Sequence, residues 1–226
     1  MNHEHHLSQR ARQARHQAVP RPRADQAGQL PRKAQRVLDA QLAALPAAAR
    51  PALACRKGCA LCCHLRVAAT ATEVFALLDY LRQSLAENHW AALVADIGQL
   101  AERIHALPAP DLLTTNLPCP VLANGACRGY PARPLNCRAY HSLDYQACLD
   151  SFNNPADLDR THPQSAAQAR VHEGIQHGLA ELLQAGGNDP GRYELVTAMA
   201  ETLADDSVRT RLLSGDRPVF RRALPL

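Results

Sequence analysis

The sequence contains few of the residues that favour β-sheet. Val, Ile and Thr are scarce beside Ala and Leu, and aromatic residues make up only 4% of the chain. Ala and Leu favour helices, whereas β-branched and aromatic residues favour strands. The composition therefore predicts an all-α or mostly α fold.

Long apolar runs are also missing from the sequence. No stretch approaches the ~20 apolar residues that a membrane-spanning helix requires. The N-terminus MNHEHHLSQRARQARHQAVPRPR lacks the apolar segment of a secretory signal. We therefore expect a cytoplasmic protein without a membrane partner.

The N-terminal residues differ from the rest of the chain in charge and pattern. Residues 1–36 carry eight Arg or Lys residues against Glu4 and Asp25, and the remainder is slightly acidic. Residues 1–30 also lack hydrophobic periodicity, so we expect a disordered basic arm there. Residues 31–226 are expected to form a single helical domain with its cysteine-cluster core at 50–150. Because the basic excess is confined to the arm, nucleic acid is not an expected partner.

Apolar periodicity predicts several helices on both sides of an irregular region. The strongest covers about 71–87, because Thr70 and Glu73 have the spacing of a capping box. It is expected to pair antiparallel with a helix at about 90–107. Residues 108–160 contain seven prolines and few periodic apolar residues, so something other than a hydrophobic core must hold them. Further helices are predicted at about 32–49, 164–185, 191–204 and 207–213.

All eight cysteines fall into two windows. Outside the windows, residues 1–54, 64–118 and 149–226 contain none, although these regions hold most of the predicted buried helix faces. Cysteine used as a small hydrophobic residue would be scattered among those faces. A reducing cytoplasm disfavours disulfides. Thiolates packed this densely repel one another unless a cation lies among them, so the pattern favours binding of a metal ion or an iron–sulfur cluster. The predicted ligands are Cys55, Cys59, Cys62, Cys63, Cys119, Cys127, Cys137 and Cys148.

Basic residues accompany both windows, and residues 55–66 and 119–142 contain no acidic residue. Cationic neighbours lower the pKa of a thiol and offset the negative charge of a thiolate site. Adjacent residues in a helix or strand point in different directions, so Cys62 and Cys63 are expected to serve different metals. Eight ligands allow two four-cysteine sites, or one site with cysteines to spare. His64 and His141 are minor alternative ligands.

Two motifs resemble those of a known family. The stretch CRKGCALCC at 55–63 has the pattern C-x3-C-x2-C-C, and CRGYPARPLNCR at 127–138 has the pattern C-x2-Y-x2-R-P-x2-C-R. Together they resemble the YkgJ-type cysteine-cluster proteins, which are described as zinc- or iron-chelating domains. The resemblance covers about residues 50–150 and implies that these cysteines bind zinc, iron or an iron–sulfur cluster. It names no reaction.

The resemblance also opens an enzymatic alternative. Flagellin lysine N-methylases are similar in their cysteine pattern, and Cys55, Cys59 and Cys62 have the C-x3-C-x2-C spacing of radical S-adenosylmethionine enzymes. The alternative is therefore an iron–sulfur-dependent enzyme, such as a protein lysine methyltransferase that uses S-adenosylmethionine. The chain shows no repeated strands of the (β/α) barrel that those enzymes usually adopt.

Under the enzymatic alternative, four residues of the second motif would line a pocket for an anionic cofactor or substrate. Arginine forks suit carboxylate and phosphate groups. The second alternative is a purely structural zinc protein. No catalytic residue is assigned, and both enzymatic activity and a protein partner stay open at this point. The four pocket residues are Arg133, Arg138, Tyr130 and Tyr140.

Overall fold

The computed structural model describes residues 24–226, and this part of the chain is mostly helical, as predicted. Residues 1–23, which include most of the expected disordered arm, lie outside the described residues. Three short 3-10 helices occur at Ala47–Ala49, Leu61–His64 and Tyr130–Ala132. The α-helices are α1 (Ala24–Ala44), α2 (Ala71–Ser84), α3 (Glu87–Ala106), α4 (Asp111–Thr114), α5 (Leu135–Ala139), α6 (Tyr145–Asn153), α7 (Ala166–Ala185), α8 (Leu195–Ala204) and α9 (Ser207–Ser214).

Four short strands form two antiparallel pairs within the described residues. Strand β1 (Ala68–Thr70) pairs with β4 (Arg192–Glu194), and β2 (Leu122–Ala123) pairs with β3 (Ala126–Cys127). Asn124 and Gly125 connect β2 to β3 with φ angles of 50° and 71°. Both angles lie in the left-handed region, which the two-residue hairpin turn typical of Asn-Gly requires.

Helix α1 starts earlier than the sequence predicted. It begins at Ala24 and runs through Pro31 to Ala44, so residues 24–30 are helical and do not belong to a disordered arm. The packing explains the difference, because Leu30 contacts the apolar cluster that contains Leu38, Leu179 and Leu183. Tertiary burial here outweighs the tendency of proline to break a helix.

Helix α2 confirms its predicted start. The Thr70 hydroxyl accepts from the Glu73 amide, and the Glu73 carboxylate accepts from the Thr70 amide, which together make the capping box. The expected antiparallel pairing of α2 with α3 is wrong: α8 packs against both helices instead. Helix α8 can pack against both helices because its buried residues, among them Val196, Ala198 and Met199, are apolar.

Two hydrophobic cores flank the cysteine-rich stretch. The larger joins α2, α3 and α8 and also buries Leu117, Val121 and Ala132. The smaller joins α1 and α7 to α5 through Leu135 and Ala139. The stretch from 117 to 139 is therefore anchored in both cores, so the expectation that something other than a hydrophobic core holds residues 108–160 is wrong for this stretch. No helix among residues 24–226 is long and apolar enough to cross a membrane.

Candidate metal centre

The first cysteine window ends in the 3-10 helix Leu61–His64. Gly58 precedes it with a φ of 88°, a left-handed conformation that favours glycine. The Cys59 amide donates to the Arg56 carbonyl at 3.0 Å, and the Cys63 amide donates to the Ala60 carbonyl at 3.0 Å. Because a 3-10 helix has about three residues per turn, adjacent side chains diverge by roughly 120°. The Cys62 and Cys63 side chains therefore diverge, although their two sulfurs remain within hydrogen-bonding distance of each other.

The second cysteine window docks on this 3-10 helix through its backbone. The Cys119 amide donates to the Cys63 carbonyl at 2.8 Å, and the Leu117 amide donates to the His64 carbonyl at 3.2 Å. Cys127 lies opposite Leu122 in the hairpin that follows. The two windows are far apart in sequence, and these hydrogen bonds bring them together.

Polar side chains hold the segment that carries Cys137. The buried Glu73 carboxylate accepts from the Leu135 amide at 2.8 Å. The Asn136 side chain donates to the Ala68 carbonyl at 2.6 Å and accepts from Gln176 at 2.7 Å. Helices α2 and α7 and strand β1 thus all fix the position of α5 and of the cysteine on it.

Thiols from the two windows are electrostatic neighbours, and we call Cys63, Cys119, Cys127 and Cys137 the inner group; the charge of Cys62 also acts on Cys127 and Cys137. The charges of the other three thiols all act to raise the pKa of Cys63. Burial raises the pKa of Cys119 to about 11, and it is also the largest cause of the raised pKa values of Cys127 and Cys137. These thiols are shielded from water, and any two that ionise together repel each other.

A hydrogen bond links the two adjacent cysteines. The Cys62 thiol donates to the Cys63 sulfur, which lowers the pKa of Cys63 despite its burial and raises the pKa of Cys62. Cys63 is therefore the inner thiol most readily present as a thiolate, the form that binds metals.

The remaining thiols surround a separate small cavity, and we call Cys55, Cys59, Cys62 and Cys148 the outer group. The cavity has a volume of about 20 Å³ and is also lined by Tyr140. Burial raises the pKa of Cys148, whereas a hydrogen bond with Ser142 acts to lower it. Cys55 is exposed to solvent, and the other three are half-buried.

Neither group has the compact arrangement of a loaded metal site. Within residues 24–226, no three Cys, His, Asp or Glu side chains are positioned as they stand to hold a metal ion. All eight thiols are free of disulfides. Ligation would thus require the thiol side chains to rotate toward a shared centre, while the backbone already holds both windows in contact.

Half-buried arginines supply positive charge beside the inner group. Arg66, Arg128 and Arg133 each bury an Nε–H that finds no hydrogen-bond partner among the described residues. The positive charge of Arg66 acts on Cys119, and the charges of Arg128 and Arg133 act on Cys127. Unpaired buried donors are rare in folded proteins. A cluster of metal-bound thiolates carries net negative charge, so cationic donors beside these cysteines would stabilise it.

The structure places the four residues of the predicted anionic pocket in different surroundings. Tyr140 lines the outer cavity, whereas Tyr130 is 56% exposed with the Arg133 guanidinium stacked 3.9 Å from its ring centre. The Arg138 Nε atom lies 3.2 Å from the Asp39 carboxylate of α1, so its charge is already paired. The described residues therefore do not gather these four side chains around one cavity.

Both candidate histidines make contacts within the loops around the cysteines, His141 through both ring nitrogens and His64 through one. The buried His141 ring donates to the Ala139 carbonyl at 2.8 Å and accepts from the Ser165 amide at 2.9 Å, which uses both ring nitrogens. The His64 ring bonds the Ala60 carbonyl through Nδ1 and packs edge-on against Phe152. Both histidines therefore support the loops around the cysteines.

Sequence reasoning missed Tyr145, which lines the outer cavity beside Cys148. The Arg56 guanidinium lies 4.6 Å from the centre of the Tyr145 ring. The signal was present in the sequence, because Tyr145 and Cys148 are three residues apart and such a pair shares one face of a helix.

The fold and the site define a class, namely a helical protein that presents two converging cysteine windows between two hydrophobic cores. Residues 54–163 match the family model CxxCxxCC, described as a "putative zinc- or iron-chelating domain". This match confirms that the segment is similar to the cysteine-cluster family expected from the two motifs. The narrower YkgJ-type label stays a prediction. Comparisons with curated proteins and with solved structures found no match.

Proposed function

We propose that the protein binds zinc or iron through the thiolates of the inner group, Cys63, Cys119, Cys127 and Cys137. The observation that carries this proposal is the backbone docking of the second window on the 3-10 helix, where the Cys119 amide bonds the Cys63 carbonyl. Four thiolates are a ligand set that both zinc and iron–sulfur centres accept. The bound metal would supply the positive charge that lets these thiols ionise together.

The charge around the inner group supports the same function. A divalent ion with four thiolates keeps a net negative charge. Arg66, Arg128 and Arg133 bury guanidinium N–H groups without a hydrogen-bond partner among the described residues. The charges of these arginines act on Cys119 and Cys127, and charged groups around the ligand atoms tune a metal centre.

The geometry favours a binding module over the enzymatic alternative. The outer cavity of about 20 Å³ is far smaller than the ~300 Å³ or more typical of a small-molecule site such as one for S-adenosylmethionine. Free thiols suit a reducing compartment, so we propose the cytoplasm as the location. No protein partner is part of this proposal.

The test is metal analysis of protein prepared without oxygen. We expect bound zinc or iron in proportion to protein, with visible absorption if the centre is iron–sulfur and none if it is zinc. The double variant Cys119→Ser/Cys137→Ser should lose this metal. Cys55→Ser makes the same chemical change at an exposed position outside the inner group. This variant should keep the metal that the inner group binds.

A wild-type protein with neither zinc nor iron would overturn the proposal. So would a double variant that folds and retains its full metal content. Far-ultraviolet circular dichroism checks that each variant keeps its helices, which the two hydrophobic cores should maintain.

A further inference from the structure

A second, larger cleft opens at the surface where helices α2, α3, α8 and α9 meet. Its volume is about 200 Å³, which suits a molecule smaller than the ligands of sites of roughly 300–1,000 Å³. No cysteine lines it, and half of its lining residues come after residue 163, where the match to the family model ends. We call it the helix cleft, and its lining includes Leu78, Asp79, Arg82, Trp90, Asp206 and Arg209.

An ion pair fixes one wall of the helix cleft. Both terminal nitrogens of Arg209 on α9 donate to the Asp79 carboxylate of α2, at 2.6 and 3.3 Å. The Arg209 guanidinium also lies 4.7 Å from the centre of the Phe75 ring. A two-point contact of this kind fixes the orientation of both groups. The two charges of this wall neutralise each other, so a ligand must be recognised by the other groups.

Two other charged groups of the helix cleft keep free hydrogen-bonding atoms. Among the described residues only the Nη1 atom of Arg82 is bonded, to the Glu87 carboxylate at 2.7 Å, which leaves Nε and Nη2 available. That pair is exposed to solvent and therefore weak. Asp206 precedes α9, but its carboxylate makes no capping hydrogen bond and joins no ion pair among residues 24–226. The helix cleft thus offers one cation and one anion to a ligand.

Apolar side chains form the rest of the helix cleft. Leu78 is buried, and Leu203 and Trp90 are half-buried. The Arg82 guanidinium lies 5.7 Å from the centre of the Trp90 ring, so the free cation adjoins the apolar surface. A ligand that satisfies all of these groups carries both charges on a short apolar body.

We propose that the helix cleft binds a small zwitterion, namely a free α-amino acid with an apolar side chain. The carboxylate of the amino acid pairs with Arg82, because arginine donors form charge-assisted hydrogen bonds with carboxylates. The ammonium group pairs with Asp206, and the side chain contacts Leu78 and Trp90. A ligand with only one charge would cover the other charge of the cleft without pairing it, which is unfavourable. No thiol or metal takes part, so this proposal is independent of the proposed function.

The experiment uses the fluorescence of Trp90, which is the only tryptophan of the chain and therefore reports on the helix cleft directly. L-Leucine is titrated into the full-length protein, and the emission should change until the site is saturated. N-acetylleucine lacks the cation and leucinamide lacks the anion. Each should bind at least ~10-fold more weakly than leucine, because each loses one hydrogen-bonded charge pair.

Two variants assign the two charges of the ligand. Arg82→Met should weaken leucine binding at least ~10-fold and leave leucinamide binding unchanged, because leucinamide has no carboxylate. Asp206→Asn should weaken leucine binding to the same extent and leave the binding of N-acetylleucine unchanged. The control Arg103→Met alters another exposed arginine, about 20 Å further along α3 than Trp90, and should bind leucine as the wild type does. All three positions are exposed, and far-ultraviolet circular dichroism checks that the helices are kept.

Three results would overturn the proposal. The first is an emission of Trp90 that leucine does not change up to its limit of solubility. The second is saturable binding that Arg82→Met and Asp206→Asn both leave unaltered, which would place the ligand elsewhere. The third is binding of N-acetylleucine or leucinamide as tight as that of leucine, which would exclude recognition of a zwitterion. Both variants should keep the metal content of the wild type, so each of these results would leave the proposed function intact.

Discussion

Replacing Gly129 with alanine should destabilise the protein through steric overlap with the larger core. Gly129 follows Cys127 and lies against α2, where an added Cβ would clash with the Leu77 Cδ1 atom and come within 3.3 Å of Val121. Leu77 is 2% exposed and Val121 is 1% exposed, so neither side chain can turn into solvent. Either side chain would have to repack inside a filled core, which costs free energy.

The expected loss of stability is the steric cost of the added Cβ minus the gain from a less flexible unfolded chain. Gly129 has φ −94° and ψ 19°, a conformation that alanine can also adopt, so the cost is steric. Overpacking a core costs about 1–3 kcal/mol, and the reduced entropy of the unfolded chain returns about 0.4–1 kcal/mol. The net loss should be about 1–2 kcal/mol, which lowers the melting temperature by about 2–4 °C per kcal/mol for a chain of this size.

Denaturant unfolding of the metal-free protein measures this loss. Gly98→Ala is the matched control, because Gly98 lies inside α3 and an added Cβ meets nothing within 4 Å. That control should stabilise the protein by about 0.5–1 kcal/mol, since alanine suits a helix interior better than glycine. If Gly129→Ala is as stable as the wild type while Gly98→Ala behaves as expected, the reasoning about this contact is refuted.

Two further predictions concern charged groups. Arg66→Met should destabilise the protein by about 3 kcal/mol, because it breaks a buried ion pair with Glu194. Its control, Arg82→Met, breaks an exposed ion pair and should cost under ~1 kcal/mol. Equal losses of stability in denaturant unfolding would contradict this prediction. The Ser207 hydroxyl is the main group that holds the pKa of Asp205 at about 2. Asp205 therefore contributes stability that is present above pH 3.8 and is lost as pH falls through about 2. The difference in unfolding free energy between wild type and Asp205→Asn should shrink over that pH range. A constant difference would count against this prediction.

The local features of the fold could be predicted from the sequence. The start of α2 follows from the capping residues Thr70 and Glu73, and the hairpin of β2 and β3 follows from Asn124 and Gly125. In each case the signal lies within four residues of the structure that it specifies.

Other features depend on contacts between distant parts of the chain. Helix α1 extends through Pro31 because Leu30 contacts the core of α7, and Arg138 pairs with Asp39 instead of facing a pocket. No local pattern encodes these partners. The same limit explains why the sequence predicted eight cysteine ligands but could not divide them into groups.

The positions of the cysteines in the second window depend on how the proline-rich region is attached to the two hydrophobic cores. Proline-rich segments cannot bury enough apolar surface to fix their own conformation, and here Leu117, Val121 and Leu135 attach the region to two separate cores. The Cys119 amide docks this region on the Cys63 carbonyl, whereas Cys148 of α6 lines a cavity together with Cys62. The backbone thus brings both cysteine windows to one short helix, although neither window has a hydrophobic core of its own.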